Sequence, residues 1–303
     1  MANKSRAARN AGRKRQMRVG SQHRTPGVDR APGRWQSNVL RVLHPFPSFL
    51  VAALTVVLAL YADPDANRFV YVQLGLGMLF FQFAIGITND IVDADSDRQE
   101  KPWKPLARGA IPRQRAVFMA AACAGGGLLL TVSLPLVAWL LGAAGLFCGL
   151  AYDIYFKRTP LSWLPYSVAF PLLPAWVFAA LDAWDALLWW VFPLGALLGL
   201  ALHLANQAPD IEGDRRSGVV GSAQRLGGRR SRAAAIAIFG TVGSVAVVVL
   251  LFESPGHALI AAIDAALVLM LAPRAQVFFG RDGLFGLLSA STAVLAIVFL
   301  SAV

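Results

Sequence analysis

The segment FVYVQLGLGMLFFQFAIGITNDIVDADSDRQEKPWKPLARG, residues 69–109, changes character once. From Phe69 to Thr88 no side chain is charged. That run matches the roughly 20 apolar residues a helix needs to cross about 30 Å of hydrocarbon. From Asn89 onward acids and bases crowd together. A helix of this kind reads as a membrane span that delivers carboxylates to one face of the bilayer.

The rest of the chain repeats the pattern. Of 303 residues, 56% are apolar and 15% charged, and the mean hydropathy is +0.56. Soluble domains carry about 25% charged residues. A water-soluble domain, a disordered chain and a disulfide-stapled secreted module are excluded. The long unbroken apolar runs exclude a β-barrel, whose strands alternate. The fold class is all-α, a polytopic bundle of nine transmembrane helices. The spans lie near 45–61, 69–89, 115–132, 135–152, 164–181, 186–206, 233–252, 257–272 and 284–302. Cys123 and Cys148 fall within spans and read as packing residues.

Charge orients the bundle. With the N-terminus in the cytoplasm, the inside segments are 1–44, 90–114, 153–163, 207–232 and 273–283. Of the chain's 28 Lys and Arg, all but Arg68 lie in these segments or at their edges. The positive-inside rule then makes the active loops cytoplasmic. Residues 1–43 hold eleven basic residues and one acid, Asp29. This stretch reads as a disordered arm drawn to anionic lipid head groups. No aromatic interleaving supports nucleic-acid binding. The membrane domain occupies 44–303.

Two inside loops carry the chemistry. Residues 89–109 contain Asn89, Asp93 and Asp97, and NQAPDIEGDRRSG at 206–218 contains Asn206, Asp210 and Asp214. Both read N-x3-D-x3-D. In a helix these positions form one stripe, with steps of about 6 Å. Each copy ends a span, the second and the sixth, and those spans run the same way. Asp90 and Glu212 add further acids. Carboxylates packed this closely near hydrocarbon need cations. Hard oxygen donors suit Mg²⁺, which takes one or two carboxylates and shares its shell with phosphate. Arg98, Lys101, Lys104 and Arg108 flank the first stripe, and Arg215 and Arg216 the second. Acid for metal beside base for phosphate describes a Mg²⁺–diphosphate site.

These segments resemble the UbiA superfamily of intramembrane prenyltransferases. The first loop resembles its aspartate-rich motif, and the second its DxxxD motif. YDIYFKRTPLSWLP, residues 152–165, is similar to its Tyr-rich, Lys-containing loop after the fourth helix. The resemblance covers residue 40 to the C-terminus. It implies a nine-helix bundle with a lateral opening to lipid. It implies that Asn89, Asp93, Asp97, Asp210 and Asp214 hold two Mg²⁺ ions and a diphosphate, with Asn206 matching the repeat spacing alone. It also implies a diphosphate contact for Lys157. The chain departs from the family at Gln207-Ala208-Pro209, where many members carry a further acid.

The expected reaction is transfer of a prenyl group from an isoprenyl diphosphate to a lipophilic, aromatic acceptor. The metal assists departure of diphosphate, and Lys and Arg neutralise the departing oxygens. Aromatic faces, among Phe80, Phe81, Phe83, Phe147 and Tyr152, steady the allylic cation. Asp90 or Asp153 takes the proton. Arg41, His44 and His203 are further candidates for lining the site, and Asp264 is an intramembrane acid away from it. A terpene cyclase would keep the ionisation and drop the acceptor. A transporter would need polar groups reaching both faces, and here the acids crowd one.

Overall fold

The structure, a computed structural model, describes residues 38–211, 220–280 and 282–302. The basic arm upstream of residue 38 lies outside the described residues. Among those described, nine long helices coincide with the nine spans read from sequence. They are α1 (Pro45–Ala62), α2 (Arg68–Glu100), α3 (Arg113–Leu130), α4 (Leu136–Ile154), α5 (Leu164–Ala180), α6 (Val191–Gln207), α7 (Gly228–Glu253), α8 (Pro255–Leu271) and α9 (Gly283–Leu300). Seven helical segments are long and apolar enough to cross a membrane, and α5 is a shorter apolar helix. α3 opens with Arg113 and Arg115, which lowers its hydropathy.

The length of α2 sets the height of the site. Asn67 caps its start, the side chain accepting from the Phe69 amide at 2.9 Å. The helix runs 33 residues, or about 50 Å at 1.5 Å per residue. Hydrocarbon accounts for about 30 Å of that. The last turns, from Asn89 on, therefore project beyond the apolar slab.

Two cores hold the bundle. One joins α1, α2, α4 and α5 around Leu74, Phe81, Leu146 and Trp176. The other joins α6–α9 around Leu202, Phe239, Leu250 and Leu288. Lipid is as apolar as these side chains, so close packing supplies the helix association. At Gly199 an added Cβ would lie 2.4 Å from the Tyr166 carbonyl oxygen, so only glycine lets α6 reach the α5 backbone. Pro171 and Pro174 lie inside α5. Each removes a helical amide donor, a loss that packed membrane bundles tolerate.

A third, smaller core binds the charged loop to the bundle. Val42, Ile87, Ile91, Leu106 and Ile111 pack together. Residues 38–42 are helical, and Val42 is fully buried. The segment just before α1 is thus part of the fold.

Candidate active site

The site is built on the side where α2, α4 and α6 end and α5 begins. The first acidic stripe is helical, as its spacing predicts, because α2 continues to Glu100. Asp90 and Asp97 are buried and Asp93 and Asn89 half-buried. Lysines meet them. Lys104 Nζ lies 2.7 Å from Asp97 Oδ2 and 2.9 Å from Asp90 Oδ1. Lys157, in the short turn after α4, pairs with Asp93. Burial opposes the charge on Lys104, yet the carboxylates of Asp90 and Asp97 hold its ammonium above the ordinary lysine pKa.

His44 completes the Asp90 contacts. Its Nε2 lies 3.2 Å from Asp90 Oδ1. The backbone there is left-handed, with φ 47°. That conformation is costly for a side chain bearing Cβ and is sterically disfavoured before Pro45. Gly86, one turn before Asp90, leaves room for the ring; an added Cβ would meet it at 3.1 Å.

The second acidic segment departs from its expected stripe. α6 ends at Gln207, and Asp210 sits in a turn whose amide bonds to the Gln207 carbonyl at 3.1 Å. Pro209 explains the break, because it supplies no amide donor to continue the ladder and its ring crowds the carbonyl four residues back. Glu212, Asp214 and Arg215 lie outside the described residues. Asp210 nevertheless comes to the first segment, with its Oδ2 4.0 Å from Lys101 Nζ. The two acidic segments therefore share one face and one neighbourhood.

Not every flanking cation joins them. Arg98 pairs with Asp95 at 2.7 Å on the exposed side of α2. Arg108 donates to Asn38. Their side chains engage these partners instead of the buried carboxylates, because position 98 faces away from the stripe and Arg108 reaches back to the segment before α1.

Beneath the charges lies an apolar cavity of about 420 Å³. Pro47, Val51, Met78, Leu141 and Leu172 contribute to its walls. Of the aromatic residues named from sequence, Phe81 and Tyr152 line it. Phe147 is exposed on the outside, Phe80 packs near Gly126 and Gly127, and Phe83 meets Phe49 edge-on at 6.3 Å. Tyr166, Phe170, Trp176 and Phe285 line the cavity without having been singled out. Cys148 is a wall residue as well.

Polar groups form the roof. Gln207 Nε2 donates to the Tyr152 hydroxyl at 3.0 Å. Asn206 Nδ2 donates to the Tyr166 hydroxyl at 3.4 Å. The Tyr152 and Tyr166 rings meet edge-on at 5.0 Å. Asp153 is buried, and its Oδ2 has no hydrogen-bond partner among the described residues. His203 is not a cavity wall. It is buried, with Nε2 3.1 Å from the hydroxyls of Ser162 and Ser222. This network ties the Lys157 loop to the segment that follows the second acidic turn. Asp264, far along α8, accepts from Ser291 and stands apart from the site.

Among the described residues no three His, Cys, Asp or Glu converge as a ready metal cage. Mg²⁺ does not require one, since it takes one or two carboxylates and completes its shell with water and phosphate. Asp93, Asp97, Asp210, Asn89 and Asn206 offer hard oxygen donors of the right kind.

The model of the UbiA prenyltransferase family matches residues 48–284. The chain belongs to this family. A digeranylgeranylglyceryl phosphate synthase of Natronomonas pharaonis is 30% identical over 146 residues, 47% of this chain and 52% of that protein. One from Methanoregula boonei is 28% identical over 192 residues, 62% of this chain and 68% of that protein. The chain thus spans about half to two thirds of the length of these curated relatives. A UbiA homologue from Archaeoglobus fulgidus, solved with GPP and Mg²⁺, superposes with a TM-score of 0.68 at 18% identity. That match covers 88% of this chain and 98% of the homologue, and it establishes the shared fold. Like the rest of the UbiA family architecture, this chain is a multi-pass membrane protein.

Proposed function

We propose that this UbiA-family chain transfers a prenyl group from an isoprenyl diphosphate to a lipophilic acceptor, with Mg²⁺ at the diphosphate. One observation carries the reading. Carboxylates from two separate segments, with Lys101, Lys104 and Lys157 among them, stand over the mouth of an apolar cavity. A diphosphate requires the first arrangement and its prenyl tail the second. The A. fulgidus homologue binds GPP and Mg²⁺, which supports the same chemistry here.

Asp93, Asp97 and Asp210, with Asn89 and Asn206, would hold the metal, and Asp214 continues the same motif. Bound Mg²⁺ would act as a Lewis acid on the diphosphate oxygens. Lys101, Lys104 and Lys157 neutralise the oxygens that gain charge as the allylic C–O bond breaks and its electron pair leaves with diphosphate. The apolar walls keep water from the allylic cation. The faces of Tyr152, Tyr166 and Trp176 stabilise it. The acceptor donates an electron pair to the cationic carbon and releases a proton. Asp153 is the proton acceptor in this reading, since its buried Oδ2 has no hydrogen-bond partner among the described residues. Asp90 is engaged by His44 and Lys104 and serves as their anchor. Arg98 and Arg108 then take no part in diphosphate binding.

The charged end faces the cytoplasm by the positive-inside rule. The eleven basic residues of the arm would draw it to anionic lipid head groups. The acceptor class is an aromatic lipid or, by the relatives' name, a prenylated glyceryl phosphate. Mass spectrometry of products tests the function, using the full chain in lipid with geranyl diphosphate, Mg²⁺ and a panel of both acceptor classes. A prenylated acceptor, lost with EDTA and restored by Mg²⁺, is the expected result. A hydrocarbon formed without acceptor would make the chain a cyclase.

A further inference from the structure

The cavity beneath the charges does not end the apolar space. A second chamber of about 130 Å³ adjoins it. Leu54, Phe170 and Leu173 line both. The two chambers lie side by side over part of their depth, since on α5 the first is lined from Pro165 to Trp176 and the second by Phe170, Leu173 and Pro174, while on α1 the second extends farther from the charged end. Along α1 the first chamber is lined by Pro47, Val51 and Leu54, and the second by Leu54 and Leu58. Pro47 to Leu58 is about 16 Å along a helix rising 1.5 Å per residue. α6 lines the second chamber alone, through Leu194 and Leu198, so that chamber extends toward the α6 side of the bundle and away from Asn206 and Gln207.

The chemistry of the second chamber is uniform. Its further walls include Ala246, Leu295 and Ala296. The hydroxyl of Thr292, also a wall residue, donates to the Leu288 carbonyl at 2.7 Å, so it makes no demand on an occupant. Nothing there selects a polar head. Phe170 is the one aromatic wall that both chambers share. Phe170 stacks on Tyr166 at 6.3 Å, with the rings 17° from parallel. Tyr166 in turn meets Asn206 at the polar roof. The ring that both chambers share is thereby held in register with the diphosphate end.

Resting on the prenyl-transfer reading above, we infer that the second chamber takes the distal isoprene units of a long prenyl chain, and that Phe170, with Leu54 and Leu173, is the chain-length gate. A short chain ends in the first chamber. A longer one passes the Phe170 ring and fills the second. The occupant is the substrate's own tail because the chamber continues the walls of the first and offers apolar contact alone.

Two variants of the full chain in lipid vesicles test this, with Kd measured for geranyl, farnesyl and geranylgeranyl diphosphate in Mg²⁺. Ala296→Phe fills the second chamber from a wall that the first does not share. It should weaken geranylgeranyl diphosphate about tenfold more than geranyl diphosphate, the discrimination that one methylene commands in an apolar pocket. Phe170→Ala widens the passage and should shift the same ratio the other way. Wild-type protein that binds all three diphosphates while neither variant alters the ratio overturns the gate and leaves prenyl transfer standing. Wild-type protein that binds none overturns both. A constant ratio with loss of co-purifying lipid in Ala296→Phe assigns the chamber to acyl chains and also overturns the gate.

Discussion

On α2 the Asn89-x3-Asp93-x3-Asp97 spacing stays helical to Glu100, whereas after α6 the same spacing is cut by Pro209. The first segment is embedded. The side chains of Asp90 and Asp97 are 2% and 7% exposed and share Lys104. The second is open, with Asp210 and Lys101 each about two-fifths exposed and 4.0 Å apart. Equal spacing in sequence thus yields one rigid wall of acids and one acid carried on a turn. In the proposed reading both segments bind the diphosphate and its metal, and the buried wall also holds the charged loop to the bundle through Lys104.

The comparison is sharpest in activity. Asp93→Ala and Asp210→Ala should each lower turnover by on the order of 10²–10³, the loss typical of removing one stabilising group from a charged transition state. Product formation in lipid checks this, and a variant with full activity would remove its segment from the site.

Stability separates the segments next. Lys104→Met leaves two buried carboxylates without their cation and should cost roughly 3–5 kcal/mol. Lys101→Met removes a half-exposed pair and should cost about 0–1 kcal/mol. Unfolding in a fixed detergent measures both. The pairs on Lys104 also set an alkaline limit. Its folded pKa is raised, so their stabilisation is complete below the ordinary lysine value and is lost as pH climbs through the raised one. That alkaline loss should be absent in Lys104→Met.

Smaller effects probe the break itself. Pro209→Ala permits α6 to continue and should swing Asp210 away from Lys101, lowering turnover about tenfold, the cost of small misplacements in a site that works by orientation. Arg98→Ala touches an exposed i,i+3 pair alone. It should change stability by less than about 0.5 kcal/mol and leave turnover within roughly twofold.

These contrasts also mark what a sequence displays. The nine helices were readable because uncharged runs of bilayer length have one low-energy solution in lipid. The first acidic stripe was readable because nothing between Asn89 and Glu100 interrupts a helix. The second matches it in spacing but not in backbone, because Pro209 supplies no amide and α6 ends at Gln207. The cavity walls were hidden for a different reason. Phe81 faces the cavity and Phe147 faces outward, yet both are aromatic residues in apolar runs, and lipid, lumen and neighbouring helix select the same composition. Tyr166, Phe170 and Trp176 went unnoticed on the same ground. Pairings such as Lys157 with Asp93, or His203 with Ser162 and Ser222, join residues far apart in sequence, and no local pattern announces them.

A double-mutant cycle on Asp93 and Asp210, read as the Kd of geranyl diphosphate in Mg²⁺, addresses the shared grip directly. Residues that hold one ligand between them should be coupled, so the double variant should lose much less than the sum of the single losses, by at least about 1 kcal/mol. Losses that add within about 0.5 kcal/mol would mean that the two acidic segments act on different partners.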